Sequence, residues 1–88
     1  MNSDPNGNWC ILYRKLQPGT VYQVMKLERS DGVIVSAKTY DEVFKFSNYQ
    51  IAFEFAKKLL TEEPNPRYDA TVKRVCRAGK KSFYLSGN

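Results

Sequence analysis

The sequence contains no histidine and only two cysteines, and both facts narrow the chemistry open to it. Without histidine, the chain lacks the commonest general base, imidazole metal ligands and the base that activates the nucleophile of most hydrolytic triads. Cys10 and Cys76 stand far apart with no CxxC spacing, so a zinc site would need ligands from outside the chain. The adjacent carboxylates Asp41 and Glu42 would point to opposite faces of a strand and make a poor acid–base pair. We therefore expect neither an enzyme nor a metal site.

Two further absences concern cofactors and location. The five glycines do not form a phosphate-binding loop, because they are scattered over turns and chain ends. No apolar run is long enough to span a bilayer, and residues 1–8 lack the basic and apolar stretches of a secretory signal. The sequence thus predicts no cofactor, no membrane partner and a cytoplasmic location, where Cys10 and Cys76 are expected to be free buried thiols.

The positive charge of the chain is concentrated at its C-terminal end. The formal net charge is +5. Residues 67–88 carry six basic side chains against Asp69 alone, whereas residues 1–66 hold eight basic and eight acidic side chains. The whole excess therefore lies in the last quarter of the chain. A localised positive surface favours an acidic partner, while a scattered excess of the same size would indicate only solubility.

Alternating apolar residues and turn signals predict an antiparallel sheet. Turn-forming residues at 17–20 and 30–32 separate strand-like runs, and the pair Asp31-Gly32 is typical of a tight hairpin. The predicted strands cover residues 9–16, 21–29, 33–40 and 68–77, with a short strand over 43–46 and a short edge strand or ordered tail over 82–85.

A helix is predicted from about Asn48 to Thr61. Ser47 and Gln50 have the spacing of a capping box, and Phe46 and Ile51 have that of a hydrophobic staple. Apolar side chains recur at helical spacing and form one stripe: Ile51, Ala52, Phe55, Ala56, Leu59 and Leu60. This stripe is expected to pack on one face of the sheet.

These elements predict one α+β domain over residues 9–77, with an antiparallel sheet of four to five strands and one amphipathic helix on one face, in the order βββ(β)αβ. Residues 1–8 are expected to be a loose N-terminal arm, and residues 78–88 a basic and aromatic C-terminal tail. The first two strands carry apolar side chains at both odd-numbered and even-numbered positions, so the second sheet face is also partly apolar. A bulge, the C-terminal tail, a homodimer partner or a ligand would explain that second face.

The basic end is the best candidate for a functional surface. Phosphates attract cations and unpaired bases stack on aromatic rings, so this mixture suits single-stranded nucleic acid or a nucleoprotein complex. A solvated strand edge, where lysine discourages edge pairing, is the alternative interpretation. The candidate binding residues are Lys73, Arg74, Arg77, Lys80, Lys81, Phe83 and Tyr84. The leading hypothesis is a small non-catalytic module that docks on nucleic acid through its C-terminal strand and tail.

The second hypothesis is a protein–protein regulator, either an inhibitor or an assembly factor, that uses an apolar sheet face. Its candidate contacts are Trp9, Tyr13 and Tyr22, because large aromatic residues dominate many protein interfaces. An acidic protein surface is the alternative partner for the basic end. Salt separates these hypotheses, since phosphate-driven binding weakens steeply with salt and an aromatic-centred interface does not.

Overall fold

The computed structural model describes residues 3–27, 34–61 and 68–87, and within them one five-stranded antiparallel sheet carries one α-helix. The strands are β1 (Trp9–Lys15), β2 (Gln23–Leu27), β3 (Ile34–Ser36), β4 (Tyr68–Arg77) and β5 (Phe83–Ser86), and the helix is α1 (Tyr49–Thr61). The strands lie side by side in the order β3-β2-β1-β4-β5. This arrangement confirms the predicted α+β fold, its element order and its single helix packed on the sheet.

The observed strands differ from the predicted ones mainly at β2 and β3. Both are shorter than the apolar runs that predicted them, and the predicted turn at Asp31-Gly32 lies outside the described residues. Pro64 and Pro66 predict a stiff connector after the helix, and this segment also lies outside the described residues. β2 and β3 still pair antiparallel, as a hairpin requires. β5 pairs antiparallel with the end of β4, so the edge strand expected near residues 82–85 is present.

Residues 43–46 form a single bridge in place of the predicted short strand. Phe46 and Trp9 exchange both backbone hydrogen bonds, at N···O distances of 2.8 and 3.3 Å, and the Phe44 N–H donates to the Met25 carbonyl at 3.0 Å. The segment fits there because β1 pairs with β2 only beyond its first three residues, which leaves the start of β1 open on that side.

The helix α1 follows the prediction within one residue, but its cap does not. The Asn48 side-chain oxygen accepts the Ile51 N–H at 2.9 Å, so Asn48 is the N-cap. Gln50 donates its side-chain amide to Glu54, one turn further along, at 2.8 Å. The predicted capping box at Ser47 is therefore wrong. The predicted staple from Phe46 to Ile51 is also wrong, because an N-cap at Asn48 makes Ser47 and Ala52 the staple positions, and Ile51 is 39% exposed.

The main core lies between α1 and the sheet. Ala52 and Ala56 are its buried helix residues, and such small side chains let the helix approach β1 and β4 closely. Phe44, Phe46 and Phe55 contact one another, with ring centroids 5.0 to 6.2 Å apart. The sheet contributes four buried side chains to this core: Ile11, Tyr13, Met25 and Val72.

The second sheet face is covered by the chain itself. Residues 37–43, which we call the covering segment, leave β3 and include a short 3-10 helix at Tyr40–Glu42. Ala37, Tyr40 and Val43 belong to one cluster with the apolar side chains of this face: Cys10, Val24, Val75, Phe83 and Leu85. The apolar side chains on the second sheet face thus pack against residues of the same chain, and neither a second copy nor a ligand is needed to explain them.

Cys10 and Cys76 are free thiols, as predicted, although Cys76 is only partly buried. Strand alternation places them on opposite faces of the sheet. Burial raises the pKa of Cys10 to about 12, so this thiol stays protonated and serves as a small apolar core residue.

The N-terminal segment, expected to be a loose arm, is hydrogen-bonded to the rest of the fold over its described part. The Asp4 N–H donates to the Lys45 carbonyl and the Lys45 N–H donates to the Ser3 hydroxyl oxygen, both at 2.9 Å. The Gly7 N–H closes a turn by donating to the Asp4 carbonyl, also at 2.9 Å, and Gly7 is buried. Residues 3–8 therefore form part of the packed domain.

Glu42 holds the covering segment in place. Its carboxylate accepts hydrogen bonds from the Lys26 ammonium group at 2.9 Å and from the backbone N–H groups of Lys38 and Thr39 at 3.2 and 3.0 Å. These donors lower the pKa of Glu42 to about 2, and the hydrogen bond from Lys26 is the largest cause. The ionised carboxylate thus ties both ends of the segment to β2.

We expect the stability of the protein to fall as the pH drops from about 4.5 to about 2, in part because Glu42 loses its charge. A carboxyl group whose pKa is lowered by folding stabilises the fold above its unfolded pKa, and this contribution disappears as the pH falls through the folded pKa. Glu42→Gln lacks the contribution at every pH. The difference in urea midpoint between wild type and Glu42→Gln should therefore be largest near neutral pH and should shrink in acid.

The matched control for this measurement is Glu54→Gln, on the exposed side of α1. Its urea midpoint should follow that of the wild type across the same pH series. A difference between wild type and Glu42→Gln that does not change with pH would show that the Glu42 carboxylate has no role in holding the covering segment.

Candidate binding surface at the basic end of the sheet

Strand β4 distributes its basic side chains over both faces of the sheet. The register with β1 places Trp9 opposite Arg74 and Cys10 opposite Lys73. Trp9 belongs to the helix side and Cys10 to the covered side, so Arg74 projects on the helix side, whereas Lys73 and Arg77 project on the other. The cations of β4 therefore do not form one continuous row.

Arg77 is held by the covering segment. Its guanidinium lies over the Tyr40 ring, 4.2 Å from the centroid, and Nη2 is 3.4 Å from the Asp41 carboxylate. Nη1 also donates to the Lys80 carbonyl at 3.0 Å. Asp41 thus offsets the positive charge of Arg77. The contacts of Arg77 with Tyr40 and Asp41 also join the covering segment to the end of β4.

Tyr40 carries a second cation on its ring, and this one is buried. The Lys45 Nζ lies 4.3 Å from the ring centroid and donates to the carbonyls of Tyr40 and Val43 at 2.6 and 3.1 Å. Burial lowers the pKa of Lys45, because the charged ammonium group is costly to remove from water. Lys45 is a structural residue that the sequence analysis did not single out, and its apolar neighbours on both sides were the only signal of burial.

Lys80 and Lys81 lie on the turn between β4 and β5, residues 78–82, which we call the basic turn. A backbone hydrogen bond of 3.0 Å closes the turn, and the Tyr40 N–H donates to the Lys81 carbonyl at 2.8 Å. Both lysine side chains are exposed. In the part of the chain that the structure describes, neither has a carboxylate partner. The basic turn therefore presents uncompensated positive charge on a fixed backbone.

The two aromatic residues of β5 have different environments. Phe83 is half-buried and packs with the covering segment, so its ring belongs to the core of the covered side. Tyr84 is 55% exposed, and its pairing with Cys76 places it on the helix side of the sheet, the same side as Arg74. Of these two rings, only that of Tyr84 is open to a ligand.

The residues predicted for a protein interface lie on two faces of the sheet. Tyr13 is 4% exposed and meets the Tyr68 ring edge-on in the core, so it is closed to a partner. Tyr22 is exposed on the covered side of the sheet, where its hydroxyl donates to the Asp69 carboxylate. Trp9 is half-buried on the helix side. These three side chains therefore do not form one contact surface.

An exposed aromatic cluster that the sequence analysis did not predict lies at the start of α1. Tyr49 and Phe53 stack with ring centroids 5.9 Å apart, and Trp9 meets Tyr49 edge-on at 5.3 Å. Arg74 lies over the Trp9 ring, 4.8 Å from its centroid. The signal for this cluster was the four-residue spacing of Tyr49 and Phe53, which puts both rings on one helix face, outside the stripe that predicted the core.

Neither a bound metal nor a membrane helix is indicated by the described residues. Residues 3–27, 34–61 and 68–87 bring together no group of three side chains suited to hold a metal ion. Among the same residues, no helix has the length and apolar character required to cross a bilayer. Comparison with protein-family models, curated proteins and solved structures finds no match to this chain.

Proposed function

We propose that this protein is a non-catalytic module that binds single-stranded nucleic acid, or a complex containing it, through the basic turn. The supporting observation is the pair Lys80 and Lys81, which are exposed on a turn of fixed backbone without a carboxylate partner in the described residues. Cations in such a position can replace the counterions of a phosphate backbone, and the release of those counterions drives binding.

Arg74 and Tyr84 extend this surface on the helix side of the sheet. An exposed tyrosine ring can stack on a base, and a planar guanidinium can pair with a phosphate or stack on a ring. Base faces are accessible only where bases are unpaired, so the combination favours single strands over duplexes. Arg77 and Lys73 contribute less, because Arg77 already contacts Asp41 and Lys73 projects on the covered side.

The alternative function, a regulator that binds a protein through an apolar sheet face, has less support. The covering segment occupies the second face, and Tyr13 is in the core. An acidic protein surface is the competing partner for the basic turn, and with such a partner the affinity for oligonucleotides would not depend on the exposed ring of Tyr84.

Lys80→Ala/Lys81→Ala is expected to weaken binding to fluorescein-labelled oligothymidylate and oligouridylate while leaving the fold intact. The slope of log affinity against log salt concentration is negative, and each lost phosphate contact should reduce its magnitude by about 0.7 for a single strand. Fluorescence anisotropy across a salt series measures affinity and slope together. Absence of binding by the wild-type protein at low salt would overturn the proposal.

The matched control is Lys15→Ala/Lys38→Ala, which removes the same charge from exposed positions outside the basic turn. This variant should keep the wild-type salt slope. Equal losses in the two double variants would indicate general attraction to a positively charged protein and would contradict docking at the basic turn. Tyr84→Ala should weaken binding without changing the slope, because stacking releases no counterion.

A further inference from the structure

A groove of about 250 Å³ separates α1 from the strand β4. Tyr49, Phe53 and Leu60 form its wall on the helix, and Ala70 and Val72 form its wall on the strand. Both aromatic rings are exposed, which is uncommon for large apolar side chains placed next to each other. Among the described residues that line the groove, Lys57 is the one that carries a charge.

The strand wall of this groove is an open sheet edge. β5 pairs only with residues 74–77 of β4, while β1 pairs with residues 68–74 from the opposite side. Within the described residues, no strand pairs with the outer edge of β4 over residues 68–73. A strand edge of this kind is a template for pairing with another chain.

The register shows which backbone groups point out of this edge. The Val75 N–H donates to the Asn8 carbonyl at 2.8 Å, so the odd-numbered residues of β4 direct their backbone hydrogen bonds towards β1. The even-numbered residues point the other way, and the Ala78 N–H bonds to Ser82 on the β5 side accordingly. The N–H and C=O groups of Ala70 and Val72 therefore face outward, directly beside the groove.

We propose that this groove binds an extended peptide segment that carries acidic side chains and adds as a strand to the open edge of β4. The main chain of the peptide would exchange hydrogen bonds with Ala70 and Val72. Every second side chain of the peptide would fall on the helix side, against the rings of Tyr49 and Phe53. This function differs from nucleic-acid binding in its ligand, and the two surfaces share Arg74 alone among the residues named for them, so each can fail without the other.

The charges around the groove indicate which kind of ligand fits it. Lys57 lines the groove and Arg74 lies at its end nearest β5, whereas no carboxylate lines it among the described residues. A peptide with acidic side chains would offset both cations. A second copy of this chain is disfavoured, because two protomers of net charge +5 would bring the same cations together.

The experiment is amide hydrogen exchange followed by NMR, with a synthetic peptide of repeating Val-Thr-Glu-Thr sequence as the probe, because this repeat places valine and glutamate on the same face of the added strand. In the free protein, the amides of Ala70 and Val72 should exchange at least about tenfold faster than those of Thr71 and Lys73, which bond to β1. Addition of the peptide should protect Ala70 and Val72 selectively. The same peptide with lysine in place of glutamate should bind at least about tenfold more weakly.

Two variants and a matched control test the two walls of the groove. Phe53→Ala should weaken peptide binding about tenfold, because it removes an aromatic anchor. Ile51→Ala is the control, since Ile51 is on the same helix with almost the same exposure, 39% against 42%, and lies outside the groove. Ala70→Pro removes the outward N–H and leaves the hydrogen bonds to β1 in place, so it should abolish protection of Val72.

Three results would overturn the proposal. The first is unchanged exchange of Ala70 and Val72 at millimolar concentrations of the Val-Thr-Glu-Thr peptide. The second is protection of these amides that rises with protein concentration alone, which would identify a second copy as the occupant. The third is their protection by oligothymidylate with no effect of the peptide, which would assign the groove to nucleic acid.

Discussion

Phe46→Ala is expected to destabilise the protein by about 3–5 kcal/mol, a large share of the stability of a domain of this size. The ring of Phe46 is 2% exposed and contacts those of Phe44 and Phe55 at centroid distances of 5.0 and 5.4 Å. Its backbone is fixed to Trp9 by two hydrogen bonds, so the site cannot collapse freely into the cavity that the truncation leaves. Urea unfolding followed by circular dichroism measures the loss.

Phe53→Ala is the matched control for this prediction, because it removes the same atoms from a ring that is 42% exposed. Its expected cost is about 1 kcal/mol or less, which also keeps this variant folded for the peptide-binding experiment. Equal losses of unfolding free energy in the two variants would contradict the position of Phe46 at the centre of the helix–sheet core.

The helix and the long strands were predictable because their side chains repeat at the period of the structure they form. β4 alternates apolar and polar side chains from Tyr68 to Lys73, and the apolar stripe of α1 recurs every three or four residues. The cap was not predictable in the same way, since Ser47 and Asn48 are both good cap residues. The choice depends on the bridge between Phe46 and Trp9, which sets where the chain leaves the sheet.

The covering segment could not be predicted from local patterns. Residues 37–40 continue the strand-like run predicted over 33–40, yet β3 ends at Ser36, because the geometry of the segment depends on partners distant in sequence. Glu42 bonds to Lys26, 16 positions away, and Asp41 meets Arg77, 36 positions away. The sequence showed that the second sheet face is partly apolar. Which residues cover this face depends on tertiary contacts, and local sequence patterns do not contain that information.

The candidate site was partly predictable, because the period of a strand fixes which side chains of β4 share a face. Strand alternation by itself implies that Arg74 lies on the face opposite Lys73 and Arg77, and the register of β4 with β1 agrees. The availability of each cation was not predictable, because it depends on tertiary contacts such as that between Arg77 and Asp41. The open edge beside the groove was not predictable either, because it depends on β5 pairing with β4 only at residues 74–77.

Gly7→Ala is expected to cost about 3 kcal/mol, although it adds a single methyl group near the N-terminus. A Cβ atom at this position would lie 2.7 Å from the Phe46 carbonyl carbon, closer still to the Phe46 carbonyl oxygen, and 3.2 Å from the Asp4 carbonyl oxygen. All three are backbone atoms. The Phe46 oxygen also accepts the Trp9 N–H, so relief of the clash requires displacing either the bridge that anchors residues 43–46 or the hydrogen-bonded residues 3–8.

The control is Gly87→Ala, where an added Cβ would meet no atom within 4 Å and the backbone φ is not positive. This substitution should change the free energy of unfolding by less than about 0.5 kcal/mol. Because Gly7 also lacks a positive φ, a difference between the two variants measures the steric contact with Phe46 and not backbone strain. If urea unfolding finds Gly7→Ala as stable as Gly87→Ala, residues 3–8 do not pack against Phe46, and the loose N-terminal arm expected from the sequence is the correct description.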